Sequence, residues 1–130
     1  MDKSVKNKSR PVNLKLTTIS FPITAIISIF QRISGMINII SIGILLKLLN
    51  LSLSSPENFT KIKNFLSTFF IKIIVWCILT VIIYHVIGGI RHILMDFGGL
   101  AETQISATRS AYIVLIFTII FSFILGVFIW

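Results

Sequence analysis

Three long apolar runs fill most of the chain, and the polar residues between them mark where each run ends. The first extends from Phe21 to Leu53 and is interrupted mainly by Gln31–Arg32 and by Lys47. Its 33 residues exceed the roughly 20 that a helix rising 1.5 Å per residue needs to cross a bilayer core. An economical placement puts Arg32 near one edge of the core and Lys47 near the other, both snorkelling, with residues 21–31 partly projecting. Ser20 reads as the cap of this helix and Pro22 as part of its first turn. In the connection over residues 50–64, Ser55–Pro56–Glu57 reads as the cap and first turn of a short helix.

The second run, from about Phe65 to Ile90, carries no Lys, Arg, Asp or Glu after Lys72 and closes on Arg91. The connection over residues 91–109 turns at Gly98–Gly99. The third crossing, Ser110–Trp130, has no formal charge and ends on a tryptophan suited to the membrane interface. Ser122 and Gly126, four apart, offer it a small-residue face for a neighbouring helix. The pattern predicts an all-α membrane protein with three transmembrane helices over about 21–53, 62–92 and 108–130. A polar N-terminal arm occupies residues 1–20. Basic residues gather in the arm (Lys3, Lys6, Lys8, Arg10, Lys15) and in the second connection (Arg91, Arg109), against Lys61 and Lys63 in the first. The positive-inside rule then expects a cytoplasmic N-terminus and a periplasmic C-terminus. Arg32, His85, Arg91 and His92 all fall on the cytoplasmic side of that arrangement.

Composition sharpens the class. The chain is 55% hydrophobic, only 12% charged and has a mean hydropathy of +0.99, far from a water-soluble domain. Twelve basic and four acidic residues give a net charge of +8. Their position in the arm and at the ends of apolar runs assigns that charge to membrane orientation, not to nucleic acid. The first 20 residues lack an apolar stretch and a cleavage site, so no signal peptide is expected. The one cysteine, Cys77, excludes an intrachain disulfide and reads as a small buried hydrophobe. No Walker, zincin or Ser/His/Asp pattern is present, and His and Cys are too few for a zinc site.

The candidate chemistry centres on Tyr84–His92, YHVIGGIRH. His85 lies about 9 Å inside the Arg91 end of its run, where an ionisable residue is costly and points to function. A neutral imidazole there is suited to haem iron as an axial ligand, or serves as polar glue between helices. Gly88 and Gly89 remove side-chain bulk, so that a macrocycle or a second backbone can approach. Arg32, Arg91 and His92 lie at the depth of haem propionates. Ser28 and Arg32, spaced i, i+4, could present donors to a quinone head group from one helix face. Asp96 reads as a surface partner of Arg91 or Arg109. A different class of function, a small subunit of a transporter or channel using His85, fits the same pattern.

Several stretches together resemble the larger cytochrome b-type anchor subunit of bacterial succinate dehydrogenase, respiratory complex II. They include Arg10–Pro11–Val12–Asn13–Leu14 and Phe21–Pro22–Ile23–Thr24–Ala25–Ile26, with Ser28, Arg32–Ile33–Ser34–Gly35 and Leu51–Ser52–Leu53–Ser54–Ser55–Pro56–Glu57 following. The most specific is His85–x3–Gly89–Ile90–Arg91–His92–x2–Met95–Asp96–Phe97–Gly98. The resemblance implies a multi-pass protein of the bacterial inner membrane that is not an enzyme on its own. It would pair with a second small anchor subunit and dock an iron–sulfur subunit and a flavoprotein subunit. It implies haem b shared with the second anchor, with His85 as the axial ligand from this chain, and ubiquinone as the substrate at Ser28 and Arg32. The family usually carries a histidine where this chain has Gln31, which can hydrogen-bond but neither titrate nor ligate iron.

Overall fold

The computed structural model describes residues 22–99 and 103–130, so the arm over 1–20 lies outside the described residues. Four helices follow in order: α1 (Ile23–Ser54), α2 (Pro56–Ser67), α3 (Phe69–Asp96) and α4 (Gln104–Ile129). Helices α1, α3 and α4 are each long and apolar enough to cross a membrane, and the protein is an all-α, multi-pass membrane protein. At 32 residues, α1 is roughly 48 Å long, well beyond a hydrocarbon core of about 30 Å.

Local sequence explains most of the helix ends. Pro22 stands at the cap of α1 instead of within its first turn, because it has no N–H and its carbonyl accepts from Ala25 N at 2.9 Å. Ser20 lies outside the described residues. The expected Ser55 cap is present: its side chain accepts from Asn58 N at 3.1 Å, with Pro56 in the first turn. Glu57 and Lys61 pair at 2.7 Å on the exposed face of α2. Thr103 caps α4 by accepting from Ser106 N at 3.2 Å. At the far end of α3, Gly98 has φ 69°, Gly99 N donates to Leu94 O and Gly98 N to Met95 O, which closes the helix.

Three boundaries differ from the sequence expectation. The crossing expected over 62–92 is divided at Thr68, whose ψ of 134° ends α2 and lets α3 start at Phe69. Hydropathy does not report a bend of one residue between an amphipathic helix and an apolar one. Beyond Arg91, α3 continues to Asp96 because the closing glycine turn comes only at Gly98. The Thr103 cap starts α4 four residues before the expected 108.

α3 packs against both α1 and α4, and α2 touches α1 and α3 where the first connection joins them. The start of α1, the end of α3 and the start of α4 come together at one end of the bundle. The face of α4 toward the other helices is a row of small or short residues, with Ser110, Ala111, Val114, Thr118 and Ser122 all buried. Gly126 extends it: a Cβ there would stand 3.4 Å from Trp76 Nε1. The small face expected at Ser122 and Gly126 is therefore used, and α3 is the helix that fills it. Trp76 Nε1 donates to Ser122 O at 2.9 Å, and Thr80 and Ser122 share a hydroxyl bond of 2.7 Å. Around these contacts the exterior is rich in Ile, Leu and Phe, as a lipid-facing surface requires. Cys77 lies on that exposed surface, not buried as its apolar run suggested. A uniformly apolar helix carries no amphipathic signal to say which side faces inward.

Candidate functional site

His85 on α3 is held by two residues of α1. Ser34 Oγ lies 2.9 Å from His85 Nδ1 and 2.8 Å from the carbonyl of Gln31. A carbonyl can only accept, so the single hydroxyl proton of Ser34 goes to Gln31 O, and Oγ meets the imidazole as an acceptor. The tautomer that fits this contact carries its proton on Nδ1, donated to Ser34, and keeps a lone pair on Nε2. Gln31 Nε2 donates to the backbone carbonyl of His85 at 2.8 Å and passes 3.4 Å from Nδ1. Both bonds need α1 and α3 very close. Gly35 and Gly88 permit this: a Cβ on Gly35 would stand 3.1 Å from His85 Cε1, and one on Gly88 would collide with Gln31 Oε1. Gly88 is thus filled by the amide of Gln31 and is not open to a flat macrocycle, as its lack of a side chain had suggested.

One turn toward the end of the bundle lies a cleft of about 100 Å³ lined by Ile27, Ser28, Gln31, Arg32, Gly88, Arg91 and His92. Four residues singled out in the sequence, Ser28, Arg32, Arg91 and His92, therefore meet on one small surface. His85 does not line it; Gln31 stands between the two. Arg91 also crosses to α4, where Nε donates to Ser110 Oγ at 2.9 Å and Nη2 to Ala107 O at 3.1 Å. His92 is exposed, with Nδ1 3.9 Å from Asp96 Oδ1 across one turn of α3. Asp96 therefore faces His92, in place of the Arg91 or Arg109 partner expected from charge alone. Tyr84 donates from its hydroxyl to Ile27 O at 3.1 Å, which pins α3 to the turn of α1 that carries Ser28.

A larger groove of about 520 Å³ runs along the other flank of α1, past Ile23, Ile26, Phe30, Ile33 and Ile37 toward Leu115. It is almost wholly apolar, whereas the small cleft holds two guanidinium groups, an imidazole, an amide and a hydroxyl. Chemistry, not size, marks the candidate site. The sequence assigns two residues around it, Ser34 and Gln31, no place beside His85. Ser34, buried at 5% exposure, reads as one more hydroxyl in an apolar helix, and Gln31 as a substitution of unknown consequence. Their one signal is spacing: Gln31, Ser34, Asn38 and Ser41 recur at three to four residues along the buried face of α1.

Comparison with known proteins identifies the family. The family described as succinate dehydrogenase/fumarate reductase transmembrane subunit matches residues 6–125. The succinate dehydrogenase cytochrome b556 subunit of Coxiella burnetii is 38% identical over 125 residues, which cover 95% of this chain and 99% of that protein. The succinate dehydrogenase cytochrome b560 subunit of Reclinomonas americana is 32% identical over 123 residues, covering 91% and 85%. By extent and identity, the chain belongs to the family of succinate dehydrogenase cytochrome b membrane-anchor subunits.

Proposed function

We propose that this chain is the anchor through which a bacterial succinate dehydrogenase hands electrons from its iron–sulfur subunit to ubiquinone. In this reading it also holds haem b jointly with a second small anchor subunit. It would lie in the cytoplasmic membrane with its N-terminus inside, and succinate would be oxidised at the flavoprotein subunit, not here. The observation that carries the proposal is the imidazole of His85, whose Nδ1 lies at hydrogen-bond distance, 2.9 Å, from Ser34 Oγ. A histidine that ligates iron through Nε2 needs its other nitrogen protonated and hydrogen-bonded, and Ser34 Oγ stands in place to accept that proton. The donor set therefore fits haem iron: His85 would be this chain's ligand, and a second ligand would come from the partner anchor.

Arg32, Arg91 and His92 would hold the propionates; Arg91 has N–H groups to give beyond those bonded to Ser110 and Ala107. Haem b in this place supplies a one-electron redox centre within the membrane. Ser28 and Arg32 would donate to a quinone carbonyl and stabilise the negative charge that grows on its oxygen during reduction. Small-molecule pockets usually enclose about 300–1,000 Å³, so a cleft of about 100 Å³ is one wall of a head-group site that a partner subunit completes. Family membership favours this function over a transporter or channel subunit that uses His85.

Two variants of the purified complex test it. His85→Leu is expected to remove or weaken the reduced-minus-oxidised haem b signal, and an unchanged spectrum would overturn the ligand assignment. Arg32→Leu is expected to lower quinone reduction by at least about tenfold, while succinate oxidation with an artificial acceptor survives. Equal loss of both activities would make Arg32 structural.

A further inference from the structure

We propose that Gln31 is a positioning residue that couples the Ser28/Arg32 cleft to His85, so that what occupies the cleft is felt at the imidazole. This rests on the reading of His85 as the haem ligand and of the cleft as the head-group site. The motivating feature is the amide itself. Its Nε2 donates to the His85 carbonyl at 2.8 Å. Its Oε1 is buried with no hydrogen-bond partner among the described residues and is packed against Gly88. A buried acceptor without a donor is costly and calls for an explanation.

Reversing the amide would not relieve it, because Oε1 would then face the carbonyl oxygen of His85. The amide thus has one orientation, with its donor on the histidine and its unused acceptor beside the cleft. The cleft walls near it are otherwise rich in donors: Ser28, Arg32, Arg91 and His92. Arg32 is the next residue along α1, and Ser28 lies one turn before it.

An occupant that brings a hydroxyl to the cleft offers Oε1 the donor it lacks. Drawing the amide toward the cleft loosens Nε2 from the His85 carbonyl and changes the hydrogen bonding around Nδ1. An occupant with only carbonyl oxygens leaves the amide where it is and bonds to Ser28 and Arg32. The two kinds of occupant therefore differ in free energy through Gln31, and such a difference is what coupling between sites requires. Quinol carries hydroxyls and quinone carbonyls, so the product would loosen the histidine and the substrate would not.

The test uses the intact, haem-loaded complex and an alkylated hydroxyquinoline N-oxide, a redox-inactive quinone analogue that carries a hydroxyl. In the unaltered protein its affinity is expected to differ by about fivefold or more between the ferric and ferrous forms, by reciprocity of coupling. It should also shift the electron paramagnetic resonance signal of the ferric haem. In Gln31→Met, similar in length but without an amide, both effects should disappear while haem and probe still bind. Gln31→His, which can return an N–H donor to the His85 carbonyl, should restore part of the shift. Persistence of the full shift in Gln31→Met overturns the coupling.

A second measurement needs no variant: the O-methyl form of the probe cannot donate and should shift the haem signal much less. Equal shifts from the two probes also overturn the proposal. Retention of the haem signal in His85→Leu would instead overturn the ligand assignment on which the coupling rests.

Discussion

Where α1 begins, α3 ends and α4 begins, the helices meet through Gln31, Ser34, Tyr84, His85, Arg91 and Ser110. At the opposite end, α3 and α4 meet through ring edges: Trp76 and Phe69 each lie 6.3 Å from Trp130 between ring centroids, nearly perpendicular to it. The aromatic contacts tolerate small displacements, because edge-to-face packing changes slowly with distance and angle. The polar end does not. Its helices are joined by directional bonds between named donors and acceptors, and in a low-dielectric interior a misplaced polar group loses its partner outright. Both ends join α3 to α4, but the polar end also joins α1 to α3 and does so through directional bonds, and it is the end that carries the candidate site. The other end sets depth, with Trp130 half exposed as an interfacial anchor.

Substitutions at the two ends should separate along this line. The largest effect is expected for Gly88→Val, where the new side chain occupies the place of the Gln31 amide. Overpacking of this kind costs about 1–3 kcal/mol, and moving α1 off α3 should weaken haem binding and quinone reduction together. Spectra and turnover of the purified complex measure both. Next comes Arg91→Leu, which breaks the bonds to Ser110 and Ala107. Loss of a charged hydrogen-bonding partner is worth about 1.5–3 kcal/mol. The melting temperature of the solubilised complex should fall, with a smaller fall in the same direction for Ser110→Ala.

The smallest effect is expected for Trp76→Phe, which keeps the ring packing and loses only the bond to Ser122 O. Interhelical hydrogen bonds in membranes average about 0.6 kcal/mol, so the complex should melt slightly earlier with an unchanged haem spectrum. A haem shift from Trp76→Phe as large as that from Gly88→Val would show that the two ends are not independent.

Parts of this arrangement are legible in the chain. The caps at Ser55 and the turn at Gly98–Gly99 are local, so residue type and spacing suffice to find them. Ser28 and Arg32 share a face by i, i+4 spacing, Arg91 and His92 fall at the depth where their run ends, and the structure brings all four to one cleft. Other features could not be read. The side on which Cys77 lies has no signature in a helix that is apolar all round. Arg91 turns to α4 because Ser110 and Ala107 happen to face it across a connection, a fact of docking and not of spacing. The Thr68 break also escapes, since hydropathy averages over windows far longer than one residue.

By itself the sequence determines depth. Apolar length, the positions of Arg32 and Arg91 and the run of uncharged residues around His85 establish three crossings and put the polar residues of interest near one end. It also carries the family, because the motifs around Ser28–Gly35 and His85–Gly98 survive as contiguous text. Only the tertiary structure decides azimuth: which residue of α1 faces which residue of α3. Gln31 and His85 are 54 positions apart, and Ser34 and His85 are 51 apart. No local period relates them. Their meeting depends on how closely two helices cross, which Gly35 and Gly88 permit, and that crossing sets the Ser34 hydroxyl and the Gln31 amide against His85 Nδ1.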